Sequence, residues 1–415
     1  MSESERTAET AHCRWDMKAW FWVLLCAAGI YGVAPLARGI QEYIYATLGS
    51  AFFTYFVLTA IVSTVAFVLY LFIYKLEIRG PGRYLWIAAS AGLYVYFTFQ
   101  LREHPEEAVH LLEYALLSLL VFRALSRTVQ DKTIYVSCLL MVALFGLLDE
   151  SIQWLLPSRV WDYKDVAVNV LGGALSILAL GKGVKPRIIG SPVQRHSLTI
   201  LAALVSVNLL SFGLCLSNTP DAVNKYAAII KPLSWLKQEE PMTEYGYKHW
   251  LPDNGVVFSR MTLQELKTND AAGWTVNEDQ LSEGLSRGER LDTLKKVYTP
   301  YTNRFLYEFL VHVIRRDREL HDFTKTKDPE TRLTAFKENQ IVENYFSNTL
   351  IQSGLAWTGR EFAIIGDTTS MAGEDYSSKT GKLITSFTLR EVWYFIVIFL
   401  GVMWGVVGMF KRRLS

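Results

Sequence analysis

Cysteine is scarce in this chain and badly placed for a disulfide framework. There are four, Cys13, Cys26, Cys138 and Cys215, and none falls within 217–390, the long polar stretch near the C-terminal end. That excludes the cross-linked small-domain class. Cys26, Cys138 and Cys215 sit inside apolar runs, where a free cysteine serves as a small hydrophobe. Cys/His spacing of the zinc-binding kind is absent. A basic patch interleaved with aromatics is absent too, and with a net charge of +2 nothing points to nucleic acid. The polar stretch carries no nucleophile elbow, phosphate loop or catalytic-triad signature. Ala19–Val33 lacks a small-residue cleavage site, so it reads as an uncleaved anchor rather than a signal peptide.

What the chain does have is apolar length. Its 415 residues are 51% hydrophobic and 13% aromatic, too apolar for an ordinary soluble protein. The apolar residues gather in runs of roughly 16 to 22, the length a helix needs to cross a bilayer. The runs fall at about 19–36, 52–74, 84–99, 108–125, 134–156, 166–180, 198–216 and 392–410. The expectation is an all-α polytopic membrane protein of about eight transmembrane helices, seven within 19–216 and the last at 391–410. Basic loops at 75–83, 123–132 and 182–195 and a basic tail at 411–413 alternate with the other loops. Because lysine and arginine in short loops stay cytoplasmic, the 1–18 and 411–415 tails are expected inside a plasma or inner membrane. The 217–390 domain is then expected outside it.

That topology collects polar residues at the outer ends of three spans. His110, Glu113 and Tyr114 lie at i, i+3 and i+4 on the fourth span and share one helix face. Asp149 and Glu150 are within a turn of Gln153 at the end of the fifth. Arg159, Asp162 and Asp165 fill the following loop, and Asn169 opens the sixth. Ionisable groups at the mouth of a membrane bundle are costly to place and mark a functional site by default. His110, Glu113, Asp149 and Glu150 have the chemistry for general acid–base work. Tyr114, Gln153, Arg159, Asp162, Asp165 and Asn169 are read as substrate-binding, Arg159 being suited to a phosphate or carboxylate. Oxygen ligation of a divalent cation is a further capacity of such a set, although no metal site is assigned and the residues name no cofactor. The competing reading is structural: the same groups pair with one another and close the helix ends, with Gly172, Gly173 and Ala174 marking tight packing.

The order Asp149-Glu150-x-x-Gln153, Pro157-x-Arg159, Asp162-x-x-Asp165, Asn169-x-x-Gly172 resembles the motif of the VanZ-like family, named after a protein associated with teicoplanin resistance. His110-x-x-Glu113-Tyr114 is similar to that family's upstream motif. The resemblance covers about 85–180 and implies an integral membrane protein of the cell envelope, with a link to glycopeptide antibiotic resistance. Most members are short, so the 217–390 domain and the last span are additions. Two function classes follow. In one, the outer polar pocket engages, and in its fullest form modifies, the headgroup of a lipid-linked or cell-wall precursor. In the other, the protein is a non-enzymatic scaffold whose extracytoplasmic domain recruits an envelope partner. A transporter is the weaker third, since no broken-helix repeat pair is visible.

The 217–390 domain is expected to be mostly helical. Asn218–Lys237 reads equally as an interfacial helix or a linker. Thr262-x-x-Glu265 is a capping box, Tyr301–His321 an amphipathic helix, and Thr331–Ser353 another. Gly255–Ser259 and Glu361–Ile365 are the best strand candidates, and Gly366–Tyr376 is read as a loop. His249, His312 and His321 lack ligand spacing and are read as structural or surface residues.

Overall fold

A computed structural model describes residues 16–413 except 103–104, 157–158, 160, 239–240, 253, 275–286, 370, 372, 382 and 385–386. Pro157 of the motif therefore lies outside the described residues. Helices account for 74% of the described residues, which makes it an all-α polytopic membrane fold. The chain divides into two compact units, one formed by residues up to Gly213 and from Phe395 onward, the other by Leu214–Tyr394.

The first unit begins with α1 (Met17–Val33) and α2 (Ala37–Leu48), bent from one another by 67°. The segment through Arg38 and Glu42, which falls between two of the apolar runs, is thus helical; its ion pair at i, i+4 lies on a helix with no buried residue. Next come α3 (Ala51–Tyr70), continued by a π-helical turn at Leu71–Lys75, then α4 (Pro81–Gln100), α5 (Glu107–Leu125) and α6 (Thr133–Trp154). After these follow α7 (Tyr163–Leu178), continued by a π-helical turn at Ala179–Val184, and α8 (Arg195–Ser217). The last helix of the chain, Leu389–Arg413, belongs to this unit from Phe395.

Among the described residues six helices are long and apolar enough to span a membrane, or seven if α1 and α2 make one bent span. The sequence runs suggest eight. Two of them fall short for simple reasons: α1 has 17 residues, and α4 carries Arg83, Tyr84, Ser90, Thr98 and Gln100 along its length. Half of the α5 span is buried, with 44% of α6 and 39% of α7, against 17% of α3 and 6% of the last helix. These values put α5, α6 and α7 at the centre of the unit and leave the others with wide apolar faces for lipid.

Small residues let the central helices close. A Cβ on Gly172 of α7 would lie 2.5 Å from the Leu111 backbone oxygen of α5, and one on Gly173 would lie 2.8 Å from Val142 Cγ1 of α6. Glycine at these two positions brings the helix axes together, as in tight membrane helix pairs. Around this crossing Tyr114, Leu117, Val121, Cys138, Val142 and Ile177 form the unit's core. Asn208 donates to the Leu140 carbonyl at 2.9 Å, tying α8 to α6.

The second unit starts with α9 (Pro220–Ile229), capped by Thr219, and a 3-10 turn at Lys231–Gln238. The 218–237 stretch is therefore helical rather than an extended linker. Its remaining helices are α10 (Leu263–Ala271), α11 (Arg287–Val297), α12 (Arg304–Thr326), α13 (Pro329–Tyr345), α14 (Ser347–Gln352) and α15 (Gly359–Ile365); the final helix of the chain, above, is α16. Among the described residues five short strands complete it: β1 (Glu244–Tyr245), β2 (Tyr247–Leu251), β3 (Gly255–Ser259), β4 (Ser377–Lys379) and β5 (Leu383–Ile384). β2 and β3 are antiparallel; β4 joins β3, and β5 joins β1, in parallel. The amphipathic α12 buries Phe305, Phe309, Leu310 and Val313 against Ile341 and Val342 of α13.

Two expectations for this unit are corrected. Glu361–Ile365 is not a strand but the body of α15. The Thr358 backbone N–H donates to Glu361 at 2.8 Å in a capping box, and Gly366 follows with φ +67. Cap and stop override a short apolar run whose period is ambiguous. The helix expected over Thr331–Ser353 is broken at Phe346 (φ −136), whose ring is drawn into the core beside Phe305 and Phe309. Gly255–Ser259 is the strand β3, and the capping box at Thr262 and Glu265 opens α10, with Glu265 N–H donating to Thr262 Oγ1 at 3.2 Å. Thr262→Ala is expected to lower the thermal stability of the full chain by about 1 kcal/mol, read as a shift in the circular-dichroism melt; an unchanged melt would show that the cap contributes nothing here.

Candidate functional site

Every polar residue singled out on the fourth to sixth sequence spans lies at one end of the α5–α6–α7 trio. His110 is near the start of α5, Asp149 near the end of α6 and Asn169 near the start of α7, so antiparallel packing alone brings them level. Tyr114 O–H donates to Asp149 Oδ2 at 3.0 Å across the α5–α6 interface. His110 Nδ1 lies 3.1 Å from Glu113 Oε2, both side chains about one-third exposed. Deeper in, Asp149, Glu150 and Asn169 are each 1% exposed and Gln153 is 4% exposed. The cluster therefore has a part-exposed imidazole–carboxylate pair at its mouth and buried carboxylates behind it.

The loop folds back over α6. Gln153 Nε2 donates to Glu150 Oε1 at 3.2 Å, and Arg159 donates to the Gln153 carbonyl oxygen. The Asp162 backbone N–H points at Glu150 Oε2, 3.4 Å away, while the Asp162 side chain caps α7 by accepting from Lys164 N–H at 2.8 Å. Asp162 thus has a local structural task. Asp165, in the first turn of α7, stands close enough to Glu150 and His110 to interact electrostatically with both.

Several of these groups keep bonding capacity that the fold does not use. Among the described residues, Asp149 Oδ1 and both polar atoms of the Asn169 amide are buried with no hydrogen-bond partner. A Cβ on Gly146 would come within 3.3 Å of Asn169 Cβ and 3.8 Å of the Tyr114 ring, so this glycine opens the space between α6 and α7. Arg159, partly buried, bonds to the neutral Gln153 amide and, among the described residues, to no carboxylate, although five carboxylates lie in the cluster. Among the described residues no group of three or more His, Cys, Asp or Glu side chains is arranged to hold a metal ion.

Two contributors had no signal in the sequence. Tyr31 of α1 donates to the Phe145 carbonyl at 2.9 Å, beside the Tyr114–Asp149 bond. Trp161 of the loop, 1% exposed, meets Tyr163 edge-on at 5.5 Å. Tyr31 lies in an apolar run and Trp161 in a short polar loop, positions where a lone aromatic carries no periodicity or spacing cue, so only the tertiary arrangement shows where they lie.

Helices long and apolar enough to span a bilayer, with ionisable side chains gathered at one end of the central trio, define a polytopic membrane protein with a polar cluster at one bundle end. Residues 65–181 match the family model VanZ/LLP1. This region of the chain is a VanZ-like domain, and the protein is a multi-pass, cell-envelope type of membrane protein carrying it. No curated protein and no solved structure matches the chain.

Proposed function

We propose that the VanZ-like domain is a headgroup-recognition site, engaging an anionic lipid-linked or cell-wall precursor from the outer leaflet. The observation that carries this reading is Arg159. A guanidinium that, among the described residues, bonds to no carboxylate although five lie in the cluster keeps donors in the fork geometry suited to phosphate. Asn169 and Asp149 Oδ1 add unpaired hydrogen-bonding groups in the interior, and His110 with Glu113 supplies a proton-accepting pair at the mouth. If the headgroup is modified as well as held, His110, Glu113, Asp149 and Glu150 are the acid–base candidates. The same headgroup is where a link to glycopeptide resistance would enter. The basic loops support an orientation with both termini cytoplasmic and 217–390 outside.

The test combines binding with stability. A polyprenyl diphosphate added to the purified chain in detergent is expected to raise its melting temperature, and Arg159→Ala to abolish that rise. Glu150 accepts from Gln153 and the Asp162 amide and, among the described residues, has no cationic partner in direct contact. Glu150→Gln is therefore expected to melt at or above the wild-type temperature. A loss of about 3–5 kcal/mol, the size expected for breaking a buried ion pair, would make the cluster a structural clasp and remove the basis of the reading.

A further inference from the structure

A cavity lies at the opposite end of α6 and α7 from the polar cluster. Its volume is about 700 Å3, within the range of small-molecule sites. Four cations stand around it: Lys132 before α6, Lys182 in the π-helical turn, and Lys185 and Arg187 in the loop that follows. All four are exposed. None has an ion-pair partner among the described residues, and no carboxylate lines the cavity. The nearest acid in sequence, Asp131, is buried and already accepts from Thr133 at 2.9 Å and from the Gln194 amide at 3.1 Å. The floor is apolar, made by Tyr135, Leu139, Ile177 and Leu178.

The shape of this cavity is held by the backbone. Gly181 leaves room for the Tyr135 ring, which a Cβ there would meet at 3.1 Å. Gly190 N–H donates to the Gln130 carbonyl at 3.2 Å, pinning the loop that carries Arg187 against the start of α6. From Lys132 to Asp149 the helix rises about 25 Å, close to the thickness of a bilayer's hydrocarbon layer. The two sites therefore address opposite leaflets.

Unpaired cations over an apolar floor, at headgroup depth, match one ligand chemistry. We propose that this cavity binds an anionic glycerophospholipid, its phosphate held by Lys132, Lys182, Lys185 and Arg187 and the first part of an acyl chain lying on Tyr135 and Leu139. Juxtamembrane cations that only set topology need no cavity between them; here they surround one of lipid-binding size. The site is independent of the headgroup reading proposed for the polar cluster.

The experiment measures lipid retention by native mass spectrometry on the full chain in detergent. Phosphatidylglycerol and phosphatidylcholine with identical acyl chains are the probes. Wild type should retain phosphatidylglycerol preferentially. The double variant Lys182→Gln/Lys185→Gln should lose roughly thirty-fold in affinity, the effect of removing two near-surface charges. Lys75→Gln/Arg79→Gln, which removes two basic-loop charges outside the cavity, should change it less than threefold. Leu139→Trp, which keeps every cation and fills the floor, should also weaken retention. Equal affinity for the two lipids in wild type would overturn the proposal, and this arm needs no variant to fold. So would an equal loss in the Lys75/Arg79 control, which would mean diffuse basic attraction. Complete displacement by millimolar inorganic phosphate would assign the site to free anions instead.

Discussion

Glu338→Ala should be the most damaging single substitution in the second unit, lowering its stability by about 3–5 kcal/mol. Glu338 is fully buried on α13 and accepts from four side chains. His312 of α12 and the Tyr376 hydroxyl point at it; Arg315 Nη1 donates at 2.8 Å and Ser378 Oγ at 2.6 Å. Removing the carboxylate strands a buried imidazole and a guanidinium and unties β4 from the helix pair. Glu338→Gln keeps the shape and loses the charge, so it should fall between wild type and alanine. The same network sets an acid limit. Burial acts to raise the Glu338 carboxyl, but His312, Arg315 and Ser378 outweigh it and hold it at about 2, below its ordinary 4.5. A depressed carboxyl contributes stability that is fully present above the ordinary value and is lost as pH falls toward the folded one. Wild type should therefore lose stability between about pH 4.5 and 2, and Glu338→Gln should show a flatter profile over that window. Tryptophan-fluorescence melts against pH give both readings. A wild-type profile that is level across it would contradict the network's role.

Gly172→Ala should be the counterpart in the first unit. Its Cβ would sit 2.5 Å from the Leu111 carbonyl oxygen and 2.9 Å from Leu111 Cα. Backbone cannot rotate out of the way, so α5 and α7 must separate, at a cost near the upper end of the usual overpacking range, about 3 kcal/mol. Leu111 stands between His110 and Tyr114, so the same shift should move both away from Asp149. Gly173→Ala is the internal comparison. Its obstacle is a Val142 methyl at 2.8 Å, a side chain with some freedom to adjust, and the loss should be markedly smaller. Melting temperatures of the two variants in detergent decide the point. Equal losses would mean that helix approach at Leu111 is not what the glycine provides.

Much of the candidate site was legible because helical spacing is rigid. His110, Glu113 and Tyr114 had to share a face, and runs of spanning length forced the ends of α5, α6 and α7 to meet. The cap at Thr262 and Glu265 and the strand at Gly255–Ser259 were likewise local, set by side chains within a few residues of each other. Local signals misled where two short patterns compete, as at Glu361–Ile365, where a capping box outweighed an apolar run. They also misled where a distant core pulls on the chain, as at Phe346.

By itself, then, the sequence determined the class of protein, the helices and the set of polar residues at one bundle end, because periodicity and hydropathy act along the chain. Tertiary structure alone decided which of those residues are spent on one another. Asp162 became a helix cap, while Arg159 and Asn169 kept unused donors. It alone brought Tyr31 beside Tyr114, set Glu338 among four donors and opened a cavity among four cations. The physical reason is that hydrogen-bond satisfaction and close packing depend on neighbours brought together from distant positions, and nothing along the chain records who those neighbours are.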